Sequence, residues 1–133
     1  MKATGLKYVS NKLQHYHHEN MTWVRSLDFF KQENSHLKNR LSEVVDMTTD
    51  KSVLAQAEHF QNLFIIKDEF LDQLRHDVNE QERILTERYI RTGNGVDDYV
   101  TNRQKQLREQ MDYLEKDFAA MRSEFNRYLV ATL

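Results

Sequence analysis

Apolar residues recur along the chain in alternating steps of three and four, in three separate stretches. The first stretch runs from Leu13 to Val44, the second from Val53 to Leu85 and the third from Val100 to Tyr128. Such steps give a mean spacing of about 3.5 residues, which is the period of a coiled-coil seam. The pattern therefore predicts three long helices, each with one inward face.

We call the inward positions of each helix its seam. The first seam contains Leu13, Tyr16, Asn20, Trp23, Leu27, Phe30, Asn34, Leu37, Leu41 and Val44. The second seam contains Val53, Ala57, Phe60, Phe64, Lys67, Leu71, Leu74, Val78, Gln81 and Leu85. The third seam contains Val100, Gln104, Leu107, Met111, Leu114, Phe118, Met121, Phe125 and Tyr128.

Few residues interrupt these helices, because the chain has no proline and only three glycines. Thr49 or Asp50 can cap the start of the second helix, and Asp97 can cap the third. Gly93 and Gly95 supply the positive-φ residues that close the second helix. We expect helices over approximately residues 11–46, 51–91 and 97–131.

The fold class predicted by these features is all-α, with one helical-bundle domain over residues 1–133. Short connections return each helix alongside the one before it, which gives an antiparallel up-down-up bundle. The sustained heptads imply left-handed coiled-coil packing of the three long helices. With Trp23 in the first seam, this plan resembles a spectrin-type repeat, a likeness of architecture that implies no function.

Charge and composition exclude several classes of function. The formal net charge is −2, from 19 basic and 21 acidic residues that are interspersed, so we expect no nucleic-acid partner. The longest apolar run, residues 63–66, is too short to span a bilayer, so no membrane association is expected. Because residues 1–10 also contain no apolar core for a signal peptide, we expect a cytoplasmic location. Without cysteine the chain has no disulfide and no thiolate metal site.

Several spacings are typical of metal sites in helical bundles. Glu33 and His36 have the Glu-x-x-His spacing of di-iron proteins, and two His/Glu pairs spaced by four resemble the ligands of haemerythrin-like bundles. Those pairs are His15 with Glu19 and His76 with Glu80. The seams predict that His36, His15, His76 and Glu80 face water, with Glu33 and Glu19 at the margin.

These patterns predict no metal, no other cofactor and no catalytic residue. The cluster His15, His17 and His18 is expected on the surface, where it could bind a transition metal adventitiously. No Gly-x-Ser-x-Gly motif occurs, and residues 93–95 lack the spacing and the lysine of a phosphate-binding loop. An enzyme is therefore not expected.

Five polar residues occupy seam positions where an apolar side chain would be more stable. They are Asn20, Asn34, Lys67, Gln81 and Gln104. Such residues often fix register or the choice of partner in coiled coils. Aligning the first two helices from their loop sets Lys67 opposite Glu33 and Asn34, which predicts a polar layer containing all three and a Lys67–Glu33 ion pair.

The second helix also has apolar residues beside its seam, which predict a contact surface. The residues are Leu63, Ile65, Ile66 and Phe70, with Phe29 of the first helix as a further candidate. A wide core face that serves two neighbouring helices would explain them equally well.

Two functions remain as hypotheses. The first is a non-enzymatic helical module that acts in protein–protein interaction or self-association, as a homodimer or with another helical protein. The alternative is a helical bundle, di-iron or haemerythrin-like, that binds a metal or a small ligand.

Overall fold

The computed structural model describes the backbone of residues 2–93 and 96–133, with side chains from residue 11 onward. It contains three α-helices: α1 spans Lys2–Met47, α2 spans Lys51–Thr92 and α3 spans Asp98–Thr132. Within these described ranges no strand occurs. The predicted all-α fold of three long helices is confirmed.

The largest difference from the predicted boundaries is the start of α1. The helix begins at Lys2, whereas the seam predicted a start near residue 11. The prediction relied on the first apolar repeat, but a helix can continue beyond its apolar face wherever no proline interrupts it. The other five ends lie within one residue of their predicted positions.

The helix ends have the predicted capping groups. The Asp50 carboxylate accepts hydrogen bonds from the backbone N–H groups of Ser52 at 2.8 Å and Val53 at 3.3 Å, as an N-cap does. Asp97 likewise accepts from the Val100 N–H at 2.9 Å. Gly93 has a φ of 73°, and its N–H donates to the Tyr89 carbonyl at 2.8 Å, which closes α2. Gly95, the other predicted positive-φ residue, lies outside the described residues.

The seams are the buried faces of the helices. Among the described side chains, every buried residue except Leu129 belongs to a predicted seam. Only Leu13, Phe30 and Val53 of the seams are partly buried instead. Trp23 is buried, as predicted, with 8% of its surface exposed. The heptad pattern therefore predicted the core almost residue by residue.

Contacts along the chain divide it into two compact units, and each helix contributes a stretch to both. Unit 1 contains the part of α1 up to Leu27 together with Gln73–Asp112. Unit 2 contains Asp28–Asp72 and Tyr113–Leu133. The prediction of a single domain stays a prediction.

Unit 2 has an aromatic core. The Phe64 ring lies 5.1 Å from the Phe125 ring, and the Phe60 ring lies 5.0 Å from that of Tyr128, measured between centroids. The Tyr128 hydroxyl donates to the Val53 carbonyl at 2.9 Å, so its polar end is satisfied. Full burial of each phenylalanine contributes about 2 to 3 kcal/mol.

In unit 1, an apolar cluster and polar side chains share the interior. A small apolar cluster contains Tyr16, Leu85 and Val100, flanked by Leu13, Ile84 and Val96. Next to Val100, the polar seam residue Gln81 is bonded to the Val100 carbonyl at 3.0 Å.

Candidate functional site: buried polar layers and an open groove

The five polar residues predicted in the seams are all buried. They are also the only buried polar or charged residues among the described side chains. Asn20, Gln81 and Gln104 lie in unit 1, whereas Asn34 and Lys67 lie in unit 2. Each unit thus contains its own polar layer.

The unit 1 layer joins one amide from each helix. Gln81 of α2 donates to the Gln104 side-chain oxygen at 3.1 Å. Gln104 of α3 donates in turn to the Asn20 oxygen of α1 at 2.8 Å. Asn20 then donates to the Glu82 carboxylate at 2.8 Å. A shift of any helix by one heptad would break this chain of bonds, so the layer specifies register.

Carboxylates at the margin complete the unit 1 layer. Glu19 accepts from Gln104 at 2.9 Å and from Arg108 through two nitrogens, at 2.7 and 2.8 Å. Burial alone would raise the pKa of Glu19, but the hydrogen bonds from Arg108 and Gln104 outweigh burial and hold that pKa below its usual value. Glu82 is held by His17 as well as by Asn20. Each side chain of the layer therefore has at least one hydrogen-bond partner within this chain.

In unit 2 the polar layer centres on Asn34 of α1. Its amide donates to the Phe64 carbonyl at 3.0 Å and to the Asp68 carboxylate at 2.8 Å, both on α2. Lys38 also donates to Asp68, and Lys31 approaches the same carboxylate at 3.4 Å. A single α2 carboxylate is thus held by three donors of α1.

The partners of Lys67 and Glu33 differ from the predicted pair. Lys67 donates to Asp117 of α3, and Glu33 accepts from Arg122 of the same helix. Matching loop lengths predicts the level of a side chain along the bundle, but it does not predict which neighbouring helix the side chain turns toward. Both residues turn to α3, which the pairwise alignment of α1 and α2 left out. Burial lowers the pKa of Lys67.

Three buried polar atoms have no hydrogen-bond partner among the described residues. They are Glu33 Oε2, Asn34 Oδ1 and Gln81 Oε1. In each case the other polar end of the side chain is bonded within the chain. The layers therefore lower stability while they specify packing.

The spacings typical of metal ligands do not assemble into a site within the described part of the chain. No group of three or more histidine, aspartate or glutamate side chains there is close enough to hold a metal ion. His36, His15 and His76 are exposed, as predicted. Glu33 and Glu19 are at the margin, also as predicted, and are bound to Arg122 and Arg108.

The other members of these spacings have different environments. The Glu80 side chain is 44% exposed and is bonded to Arg83 on its own helix at 2.5 Å. The hydrogen bond from Arg83 lowers the pKa of this carboxyl. His15, His17 and His18 are all exposed, as predicted, and His17 pairs with Glu82.

The five predicted interface residues do not share one surface. Leu63 is partly buried and packs against the unit 2 core. Phe70 is partly buried too, with its ring 6.5 Å from that of Tyr113 on α3. Phe29, Ile65 and Ile66 are exposed, at 59%, 45% and 59%. Of the five residues predicted to form an apolar surface, two thus pack against other side chains of the chain and three are exposed.

The three exposed residues lie on different flanks of α1 and α2. Ile66 precedes Phe70 by four residues, so it lies on the side of α2 that faces α3. Phe29 precedes Glu33 by four, which places it on the side of α1 toward Arg122 of α3. Ile65 is about 100° around α2 from Ile66 and faces α1.

Ile65 belongs to an open groove between α1 and α2 in unit 2, which we call the α1/α2 groove. It has a volume of about 670 Å³. The α1 wall contains Lys38, Asn39, Leu41, Ser42 and Val45, and the α2 wall contains Leu54, Ala57, Glu58, Gln61, Phe64 and Ile65. Val45 and Ile65 are 40% and 45% exposed. The groove leaves apolar side chains of both helices open to solvent.

The sequence contains a signal for this groove that the seams alone miss. Val45, Leu54 and Ile65 each directly follow a seam residue. A residue one step beyond a seam lies about 100° around the helix, on one flank. Doubled apolar positions on α1 and α2 therefore mark the flanks on which these two helices face each other.

Comparison with known proteins identifies no relative. No protein-family model matches the chain, and neither the curated proteins nor the solved structures include a match. None of the three helices, over their described residues, has a stretch long and apolar enough to cross a membrane. The cytoplasmic location stays a prediction.

Proposed function

We propose that this protein is a non-enzymatic helical module that self-associates, with two copies meeting at their α1/α2 grooves. The observation that carries the proposal is that apolar side chains of both groove walls are open to solvent: Val45 is 40% and Ile65 is 45% exposed, and the partly buried Leu54 lines the same groove. An exposed apolar surface with polar residues around it is typical of a protein contact site. Covering it would remove apolar area from water, at about 25 cal/mol per Å².

The charges around the groove favour a second copy as the occupant. Lys38 stands on the α1 wall and Glu58 on the α2 wall. A two-fold dimer uses the same surface on both copies, so each surface must complement itself. A groove with one basic and one acidic wall meets this requirement. Another helical protein would need a matching charge pattern of its own.

The polar layers support an interaction role in preference to catalysis. In unit 1, the Asn20, Gln81 and Gln104 amides and the Glu19 carboxylate are engaged with one another and with charged neighbours. Side chains bound in this way specify the packing of helices, which a binding surface needs in order to keep its shape.

The proposal includes an antiparallel arrangement of α1 and α2 and left-handed coiled-coil packing. Two ion pairs in unit 2 support the antiparallel order: Lys31 contacts Asp72, and Lys38 contacts Asp68. From the first pair to the second, the residue number rises on α1 and falls on α2, as it does between antiparallel helices.

Replacing Ile65 with glutamate tests the proposal, and the neighbouring Ile66 provides a matched control. Ile65→Glu places a charge in the groove, so we expect dimer affinity to fall at least about tenfold while the helical circular dichroism is kept. Ile66→Glu makes the same chemical change on the other flank and should leave the dimer intact. Equal effects of the two variants, or a wild-type protein that is monomeric, would contradict the proposal.

A further inference from the structure

The two walls of the α1/α2 groove carry opposite charges. Among the described residues that line it, only Lys38 on α1 and Glu58 on α2 are charged. Beyond the groove the same division continues, with Lys31 on α1 and Asp72 on α2. The α1 wall is therefore basic and the α2 wall acidic.

Both charged residues of the groove can still bind a partner. Glu58 is exposed and takes part in none of the ion pairs found among the described residues. Lys38 contacts Asp68, but its side chain is 39% exposed. Because an ammonium has three N–H groups, it can donate to a second carboxylate as well. Each wall thus offers a charge to whatever covers the groove.

Two copies can meet groove to groove in two symmetric ways. A two-fold axis parallel to the helices sets α1 against the α2 helix of the second copy. An axis across the helices sets α1 against α1 and α2 against α2. The second arrangement brings lysine toward lysine and glutamate toward glutamate, whereas the first brings opposite charges together on both sides.

We infer that the two-fold axis runs parallel to the helices, so that α1 of each copy packs on α2 of the other. This inference rests on the self-association proposed above. It gives a four-helix contact in which each α1 has an α2 helix on both sides, as in an up-down-up-down bundle. Like-charge contact between the walls selects against the other arrangement and so fixes orientation.

The ion pairs within unit 2 predict which residues meet. Lys31 pairs with Asp72 and Lys38 with Asp68, so α1 and α2 advance in opposite directions along the groove. Fourteen residues, or about four turns, beyond the Lys31–Asp72 pair on each helix, Val45 comes to the level of Glu58. Rotation about an axis parallel to the helices keeps that level unchanged. Val45 of one copy therefore lies opposite Glu58 of the second copy.

Cross-linking of single-cysteine variants tests this arrangement, because the natural chain has no cysteine. Full-length Val45→Cys and Glu58→Cys are prepared, one with heavy isotopes, then mixed and treated with a short bis-maleimide. We expect the mixed 45–58 link to be the main cross-linked product, with the 45–45 and 58–58 links at background. Ile66→Cys, on the other flank of α2, should give only background links.

Each other outcome has one meaning. Predominant 45–45 and 58–58 links would show α1 against α1 and overturn the inference, while self-association through the groove would stand. Links to Ile66→Cys as abundant as the 45–58 link would overturn it too, since they would show random collision. If no intermolecular link forms and the protein sediments as a monomer, the proposed function itself fails.

Discussion

Buried polar side chains are the residues at which the chain departs from a simple apolar core. Asn20, Gln81 and Gln104 exchange hydrogen bonds across three helices, where apolar residues would give greater stability. Their positions could be predicted from the seams, because a polar residue at an inward heptad position is visible in the sequence. Their partners could not, since side-chain pairing depends on which neighbour is nearest at each level.

Lys67 is the clearest case of a residue whose position could be predicted but whose partner could not. The heptad pattern placed it correctly in the interior, but its carboxylate partner is Asp117 on α3 and not the predicted Glu33. Asp117 directly precedes a seam residue, Phe118, and so lies on a flank of α3. Heptad spacing identifies such flanking charges, but it does not rank them as partners.

We predict that Lys67→Met stabilises the protein by about 1 kcal/mol at pH 7. Lys67 is 9% exposed, whereas the Asp117 side chain is 37% exposed and can be hydrated without the lysine. Asp117→Asn should have the opposite effect, a loss of about 1 to 3 kcal/mol, because it leaves the buried ammonium without its carboxylate. Urea unfolding of the three proteins measures both changes.

The difference in stability between the wild type and Lys67→Met should depend on pH. Burial lowers the pKa of Lys67 in the folded state below its unfolded value of about 10.4. Between those two values the unfolded chain binds more protons, so the free energy of unfolding of the wild type rises with pH. The advantage of Lys67→Met should therefore shrink as the pH approaches 10.4. A variant less stable than the wild type at pH 7 would contradict this account.

At the scale of the helices, the ends were predicted well wherever a local residue determines them. Asp50 and Asp97 cap the second and third helices as expected, and Gly93 closes the second. The start of α1 was not predicted, because no capping residue or change in periodicity marks it. Apolar patterning indicates where a helix is buried, which is a different property from where it begins.

We predict that Gly93→Ala destabilises the protein by about 1 kcal/mol. A side chain at this position would touch nothing within 4 Å, so the cost comes from the positive φ of 73° alone. Gly93→Asn is the control, because asparagine tolerates this conformation better, and its loss should be smaller. Thermal unfolding followed by circular dichroism compares the two. Equal stability of all three proteins would show that the end of α2 does not require this conformation.

For the whole molecule, the sequence predicted the helices and the core, whereas the residues it grouped as a possible interface do not share one surface. It grouped Phe29, Ile65 and Ile66 as one candidate interface, although these residues lie on three different flanks. Adjacent residues on a helix point about 100° apart, so consecutive apolar residues do not form one contiguous surface patch. The doubled apolar positions, such as Val44 with Val45 and Phe64 with Ile65, are the better guide, because they identify a flank shared by two helices.

The solution mass of the wild-type protein tests the central claim most directly. The chain has a mass of 16.0 kDa. In sedimentation equilibrium at micromolar concentrations, we expect a species of twice that mass that dissociates on dilution. Ile65→Glu should shift this equilibrium to the monomer, whereas Ile66→Glu should not. A wild-type protein that remains at 16.0 kDa over the whole concentration range would contradict self-association through the α1/α2 groove.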